Sequence, residues 1–198
     1  MNLKKNLSQK NNFFYKNFLN HISIVDETFS LIPQIEKAYR LILKTIKSNG
    51  TIFFIGNGGS AADCQHIAAE LIGRFKINRK PIKALALTTD SSILTAISND
   101  FDYNQVFSRQ LEGLSKTDDL LFAISTSGKS KNILQALKFA KKKKIKSIGL
   151  LGSNGGFVKK HINCPITVPS FDTARIQEMH ILIYHTLCEK LEKDLFKK

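Results

Sequence analysis

The stretch "IFFIGNGGSAADCQHIAAELIGRF", residues 52–75, decides the fold. It opens as an apolar run that suits a fully buried strand. The run breaks at "GNGGS" (56–60). It continues as a helix-like segment in which His66 and Glu70 stand four residues apart, on one face. A buried strand, a glycine-rich turn and a helix form the opening half of a β-α-β unit.

Outward from this unit the alternation continues. "IKALALTT" reads as a strand, "SSILTAISND" as a short helix or turn, and "NQVFSRQLEGL" as a helix. "DLLFAIS" is a strand and "SKNILQALKFAKKK" a helix. Two further strands, "KSIGLLG" and "CPITVP", precede a long last helix, "TARIQEMHILIYHTLCEKLEKDL". Upstream, residues 7–30 and 34–48 read as helices, with Phe14, Phe18, Ile22 and Val25 at three- and four-residue spacing. Gly50 closes the second of them. Apolar strands alternating with helices predict a parallel sheet covered on both faces. The expected class is α/β: a three-layer α/β/α sandwich with a roughly five-stranded parallel sheet and helices before it. No linker interrupts the pattern, so 1–198 is expected to be a single domain with 1–49 as a helical N-terminal extension.

At 42% hydrophobic the chain can bury a sizeable core. No apolar run approaches the length of a membrane span, and the basic N-terminus "MNLKKNLSQKNNFFYKNF" has no apolar signal-peptide core. A cytoplasmic protein without a membrane partner is therefore expected. Cys64, Cys164 and Cys188 are scattered and fit no disulfide or zinc framework. The net charge of +14 suits either an anionic ligand or a solvated lysine surface. The densest run, "KFAKKKKIKS" (138–147), sits where a helix should end, and cations there favour the helix dipole. No nucleic-acid motif accompanies it, so no nucleic acid is expected as a partner.

In such folds ligands bind outside the carboxyl ends of the strands. The loops in question are "GNGGS", "TTDSS" (88–92), "STSGKS" (125–130) and "GSNGG" (152–156). A P-loop reading of "STSGKS" fails because Ala123 stands where the first glycine is needed. A dinucleotide pattern fits Gly56, Gly58 and Ala61, but Asp90 comes too late for the acidic partner. The hydroxyls of Ser125, Thr126, Ser127 and Ser130, at the start of a helix, suit a phosphate monoester. Ser127 or Ser130 acting only as a helix cap is the simpler reading, yet four hydroxyls exceed what a cap needs.

Glu70 is flanked by Ile67, Ala68, Ala69, Leu71 and Ile72, which predicts a largely buried helix. The last helix offers two histidines, His180 and His185. At 100° per residue Gln177 lies about 60° from His180 and about 80° from His185, while Glu178 and His185 are almost aligned. Spacing alone does not choose between them.

The blocks "GNGGSAADCQHIAAELIGRF", "ALTTDSSILTAISND", "FSRQ", "ISTSGKSKNILQAL" and "TARIQEMHILIYH" together resemble the phosphoheptose isomerase family of the sugar isomerase (SIS) domain superfamily. They cover the chain from about Gly50 to Leu187. The resemblance implies isomerisation of sedoheptulose 7-phosphate to D-glycero-D-manno-heptose 7-phosphate, the first step toward the heptose of bacterial lipopolysaccharide or capsule. It implies a homotetramer with active sites where subunits meet. Ketose–aldose isomerisation needs a base for a carbon-bound proton, an acid for oxygen and stabilisation of an enediolate. By resemblance, Glu70 and His185 carry the catalysis, and His180 is a packed histidine. Substrate contacts would come from Asn57, Gly58, Gly59, Glu70, Asn99, Asp100, Ser125, Thr126, Ser127, Ser130 and Gln177. A divalent metal, often zinc, would be held by His66, Glu70, Gln177 and His185. Related SIS proteins that bind the replication initiator share "RIQEMH" and the serine loop but lack Glu and His where this chain has Glu70 and His185. The arabinose 5-phosphate type usually adds a regulatory domain, for which 198 residues leave no room.

Overall fold

The computed structural model of the chain describes residues 12–196. Five parallel strands form its centre: β1 (Ile52–Gly56), β2 (Ala84–Ala86), β3 (Leu120–Ser125), β4 (Lys146–Leu151) and β5 (Cys164–Thr167). Their spatial order is β2-β1-β3-β4-β5. β1, β3 and all of β4 after Lys146 are buried, as apolar runs between two helix layers must be. The register sets Phe54 opposite Phe122, and their rings pack 5.2 Å apart.

Seven α-helices cover the sheet among the described residues: α1 (Phe13–Thr28), α2 (Ile32–Lys47), α3 (Gly59–Ile72), α4 (Ser91–Asp100), α5 (Val106–Leu114), α6 (Lys131–Lys142) and α7 (Thr173–Phe196). On one face Ile52, Phe54, Leu120, Phe122 and Leu150 pack against α2, α3 and α7, through residues such as Ile42, Ile67 and Tyr184. The opposite face buries Phe53, Ile55, Leu121 and Ala123 against Phe107, Leu111, Ile133 and Leu137 of α5 and α6. This is the expected three-layer sandwich.

Three details differ from the sequence reading, and a fourth decides between alternatives it left open. The first helix starts at Phe13, where Asn12 accepts the N–H groups of Phe14 and Tyr15; residues 7–11 lie outside the described residues. The second helix closes on Asn49, whose φ of 57° turns the chain, while Gly50 donates its N–H to Thr45 at 2.9 Å. The strand expected over "IKALALTT" shortens to three residues at the sheet edge, after Pro81. "SSILTAISND" is a full helix, started by Asp90, whose carboxylate accepts the Ile93 N–H.

Candidate active site

From β1 the chain runs to β2 on one side and then crosses back past β1 to β3 on the other. That reversal opens a crevice between the carboxyl ends of β1 and β3, where open α/β sheets bind ligands. Asn57 sits there. Its amide exchanges two hydrogen bonds with Asn132, at 3.0 and 2.8 Å, and its Oδ1 also accepts the Tyr103 hydroxyl at 3.0 Å. The glycine loop is thus tied both to α6 and to the 3₁₀ turn before α5. Gly58 precedes α3, and its carbonyl accepts the N–H of Ala61 and of Ala62. A Cβ on Gly59 would collide with the side-chain amide of Gln177. Glycine at 59 therefore lets α7 bring Gln177 onto the loop.

The serine loop lies beside it. Ser125, at the end of β3, accepts the Gly128 N–H at 3.1 Å, and Ser127 accepts the Lys129 N–H at 3.2 Å. Ser130 is the N-cap residue of α6, yet its side chain makes no capping bond. Neither Ser127 nor Ser130 is spent on capping the helix. Thr126 is half-buried and Ser127 exposed. In the first turn of α6 the Ile133 N–H is taken by Oδ1 of Asn132 at 2.9 Å, while the N–H groups of Lys131 and Asn132 have no intrahelical acceptors, which suits an anion.

Further along, α3 and α7 run side by side in the same direction. Gly59 meets Gln177 and His66 meets Tyr184, both pairs 118 residues apart. Tyr184, next to His185, places its hydroxyl 3.0 Å from Nδ1 of His66. Nε2 of His66 lies 3.2 Å from Oε1 of Glu70 and 3.4 Å from Nε2 of His185. Donor atoms of all three residues fall within 4.8 Å of one another. Two ring nitrogens that face each other need a proton or a cation between them. Ligands about 2.0–2.1 Å from a tetrahedral zinc lie roughly 3.3 Å apart, so the spacing and the donor set fit such an ion. Three protein ligands and an open position form the arrangement of catalytic zinc.

The surroundings tune these groups. Burial and the neighbouring His66 push the His185 pKa down, against Glu70, so its imidazole is neutral at pH 7. The Phe75 ring stacks on His185 at 5.5 Å. Burial, then the Asp63 charge, pushes the Tyr184 hydroxyl well above its usual pKa, so it keeps its proton. Asp63 is buried, and its Oδ2 has no hydrogen-bond partner among the described residues.

The candidates therefore fall into two groups within one chain. Asn57, Gly58, Gly59, Gln177 and the serine loop gather at the strand ends. His66 and Glu70 lie seven and eleven residues beyond Gly59, about 10 and 16 Å along the helix axis. His185 is likewise about 12 Å along α7 from Gln177. Asn99 and Asp100 end α4, exposed and bonded to each other at 2.8 Å; no hydrogen bond joins them to another candidate among the described residues. His180 is fully buried, with Nε2 3.1 Å from the Leu151 carbonyl oxygen. Glu178 pairs with Arg175 and His21, both at 2.6 Å. The helix of Glu70 is half-buried rather than largely buried. Cys64, Ile67 and Leu71 face the core, whereas His66, Ala69 and Ile72 face out, and Glu70 sits at the margin.

Sequence reasoning missed the residues that support these groups. Asn132 lies inside the quoted serine block, and an amide in the first turn of a helix gave no reason to pair it with Asn57. Tyr184 and Phe75 carry no signal of such a role in the sequence, because only the folded chain sets them against His66 and His185.

The SIS domain family model matches residues 14–152. A phosphoheptose isomerase from Campylobacter jejuni is 50% identical over 182 residues, covering 92% of this chain and 98% of the relative. One from Helicobacter pylori is 46% identical over 184 residues, covering 92% and 96%. The structure superposes on the phosphoheptose isomerase of Neisseria gonorrhoeae with a TM-score of 0.86 at 38% identity, covering 91% of this chain and 97% of that one. For the phosphoheptose isomerase of Francisella tularensis the TM-score is 0.88 at 35% identity, covering 91% and 96%. With its glycine and serine loops at the strand ends, its paired helices and these relatives, the chain belongs to the phosphoheptose isomerase family of SIS-domain proteins.

Proposed function

We propose that this chain isomerises sedoheptulose 7-phosphate to D-glycero-D-manno-heptose 7-phosphate, supplying heptose for a bacterial surface polysaccharide. The observation that carries the reading is the His66–Glu70–His185 cluster in a member of this family. In this reading the serine loop, with Ser125, Thr126, Ser127 and Ser130, anchors the phosphate, and Asn57, Gly58, Gly59, Asn99, Asp100 and Gln177 hold the sugar. Anchoring a remote phosphate orients the reacting carbons and so lowers the barrier at the other end of the molecule.

The chemistry then falls to two residues. Glu70 removes a proton from C1 of the ketose while His185 delivers a proton to the C2 carbonyl oxygen, giving an enediol. Glu70 returns a proton to C2, and His185 takes the proton from O1 as the C1 aldehyde forms. A neutral His185 can serve in both directions. His66, Glu70 and His185 of one copy, with Gln177 of another copy as fourth ligand, would hold a divalent metal, zinc by the chemistry of the donors. When bound, that metal polarises substrate oxygens and stabilises negative charge between them.

The separation of the two groups supports a site shared between copies of the chain, as in a homotetramer. Exposed apolar residues of α1 support self-association: Phe13, Phe14 and Phe18 are each more than 70% exposed, and Ile22 is 48% exposed. The whole chain, 1–198, acts in this reading as one SIS domain with 1–49 as its helical extension. We place it in the cytoplasm. Among the described residues no helix is long and apolar enough to cross a membrane. Incubating the protein with sedoheptulose 7-phosphate and separating ketose from aldose tests the proposal. Accumulation of the heptose 7-phosphate supports it; unchanged ketose refutes it.

A further inference from the structure

One buried carboxylate holds the loop that follows α3. Glu192, near the end of α7, is 3% exposed. It accepts the N–H groups of Phe75, Lys76 and Ile77 at 2.9, 2.8 and 3.2 Å, and Nε of Arg79 at 3.0 Å. The Arg79 side chain is itself 1% exposed. Its remaining nitrogens donate to the carbonyls of Glu70, at 2.6 Å, and Leu71, at 2.7 Å. Those carbonyls belong to the last turn of α3, where intrahelical donors run out. The clamp therefore joins three parts: the end of α7, the loop over residues 75–79, and the helical turn that carries Glu70. The loop so held lays the Phe75 ring on the His185 imidazole, 5.5 Å between centroids and 29° between planes. The other neighbours of that imidazole, His66 at 5.0 Å and Tyr184 at 4.8 Å, meet it edge-on. Among the described residues only Phe75 stacks on its face.

A buried ion pair is a costly way to hold a loop, since desolvating two charges offsets most of their attraction. What it supplies is fixed geometry. We infer that Glu192 and Phe75 are positioning residues for the isomerase site: the Glu192–Arg79 clamp sets the loop so that Phe75 keeps the His185 ring facing His66 and Glu70. The inference rests on the reading that Glu70 and His185 carry the reaction. Neither positioning residue touches the substrate in this account. Both act through His185, and Arg79 acts on the backbone of Glu70.

The test uses Phe75→Leu, Phe75→Tyr and Glu192→Gln in the full-length protein. Three quantities are read from each: kcat and KM for sedoheptulose 7-phosphate, the melting temperature, and the His185 Cε1–H signal in a carbon–proton NMR spectrum. Phe75→Leu keeps an apolar side chain but removes the stack. It should lower kcat roughly 10- to 100-fold with KM within about two-fold, the loss typical of a displaced supporting group. It should also move the His185 signal downfield, because the shielding of the stacked ring is gone. Phe75→Tyr should keep both the rate and the signal. Glu192→Gln should move kcat and the His185 signal in the same direction as Phe75→Leu. Wild-type kcat, or an unmoved His185 signal, in Phe75→Leu overturns the inference. A Glu192→Gln variant that melts earlier but leaves the His185 signal in place removes the clamp from it. Should Glu192→Gln fail to fold, Phe75→Leu still decides. A wild type that does not isomerise the sugar refutes the functional reading instead, and the NMR comparison then judges the stacking separately.

Discussion

Gly128 sits where the serine loop and the loop after β4 touch, and replacing it should damage binding and stability together. Its φ is 62°, a conformation that costs an alanine about 1–2 kcal/mol. A Cβ there would run into the Gly155 carbonyl and lie 2.9 Å from the Gly156 nitrogen, against 3.4 Å for ordinary contact. The neighbouring backbone must therefore recede by at least 0.5 Å, and the Gly155 carbonyl by more. Both obstacles are main chain, so no side-chain rotation relieves them. Turning the peptide instead would break the bond from the Gly128 N–H to Ser125 or the one from the Val158 N–H to the Gly128 carbonyl. Conformational strain plus one lost or stretched hydrogen bond gives about 2–4 kcal/mol. At about 2–4 °C per kcal/mol for a chain of this size, Gly128→Ala should lower the melting temperature by roughly 4–16 °C. Displacing the serine hydroxyls by half an ångström or more should raise KM for sedoheptulose 7-phosphate about 10- to 100-fold. Scanning calorimetry and initial-rate kinetics on one preparation read both effects. Wild-type KM in a protein that melts early would show that this loop does not anchor the phosphate, and unchanged melting would refute the steric argument itself.

Other consequences are as specific. Glu70→Gln and His185→Gln should each lose roughly two to four orders of magnitude in kcat with little change in melting temperature, and near-normal turnover in either removes that residue from its role. Ser127→Ala should weaken phosphate anchoring by about 1–3 kcal/mol, roughly a five- to 150-fold rise in KM, because it removes a hydrogen bond to a charged group; a lowered melting temperature at constant KM would mean that Ser127 only shapes its turn. Burial holds the His180 pKa at about 4, below the ordinary 6.5, despite the Leu151 carbonyl. A depressed folded-state pKa means that the unfolded chain binds the extra proton, so this contribution is present above about pH 6.5 and is lost as pH falls toward 4. The melting temperature of His180→Gln should accordingly fall less than that of wild type between about pH 7 and pH 5, and equal falls in thermal scans would contradict the neutral, buried state of His180.

The fold was legible because its signals are local and repeated. Buried strands such as β1 and β3 read as unbroken apolar runs, and each is followed by a polar loop and an amphipathic helix. Edges were less legible. β2 shrinks to three residues because its pairing ends with the sheet, which no local property of "IKALALTT" reveals. The candidate site divides in the same way. Glycines and hydroxyls at strand ends mark candidate ligand loops by chemistry alone. Choosing His185 over His180 needed the family resemblance, since Gln177 lies at similar angles from both, about 60° and about 80°; in the structure His180 faces the sheet and His185 faces α3. The clamp by Glu192 was illegible, because a glutamate near a lysine-rich helix end looks solvated until the loop over residues 75–79 folds onto it. The distance between the loop group and the histidine cluster is likewise a property of how α3 and α7 pack, not of any motif.

The central claim is that this chain moves a proton between adjacent carbons of sedoheptulose 7-phosphate with Glu70 as the base. It is tested most directly by following that sugar in D₂O by proton NMR, with wild type and Glu70→Gln side by side. The account predicts aldose signals that grow with wild type, deuterium entering at C2 of the product, and a rate roughly two to four orders of magnitude lower for Glu70→Gln. No aldose from wild type, or equal rates from the two proteins, would contradict it.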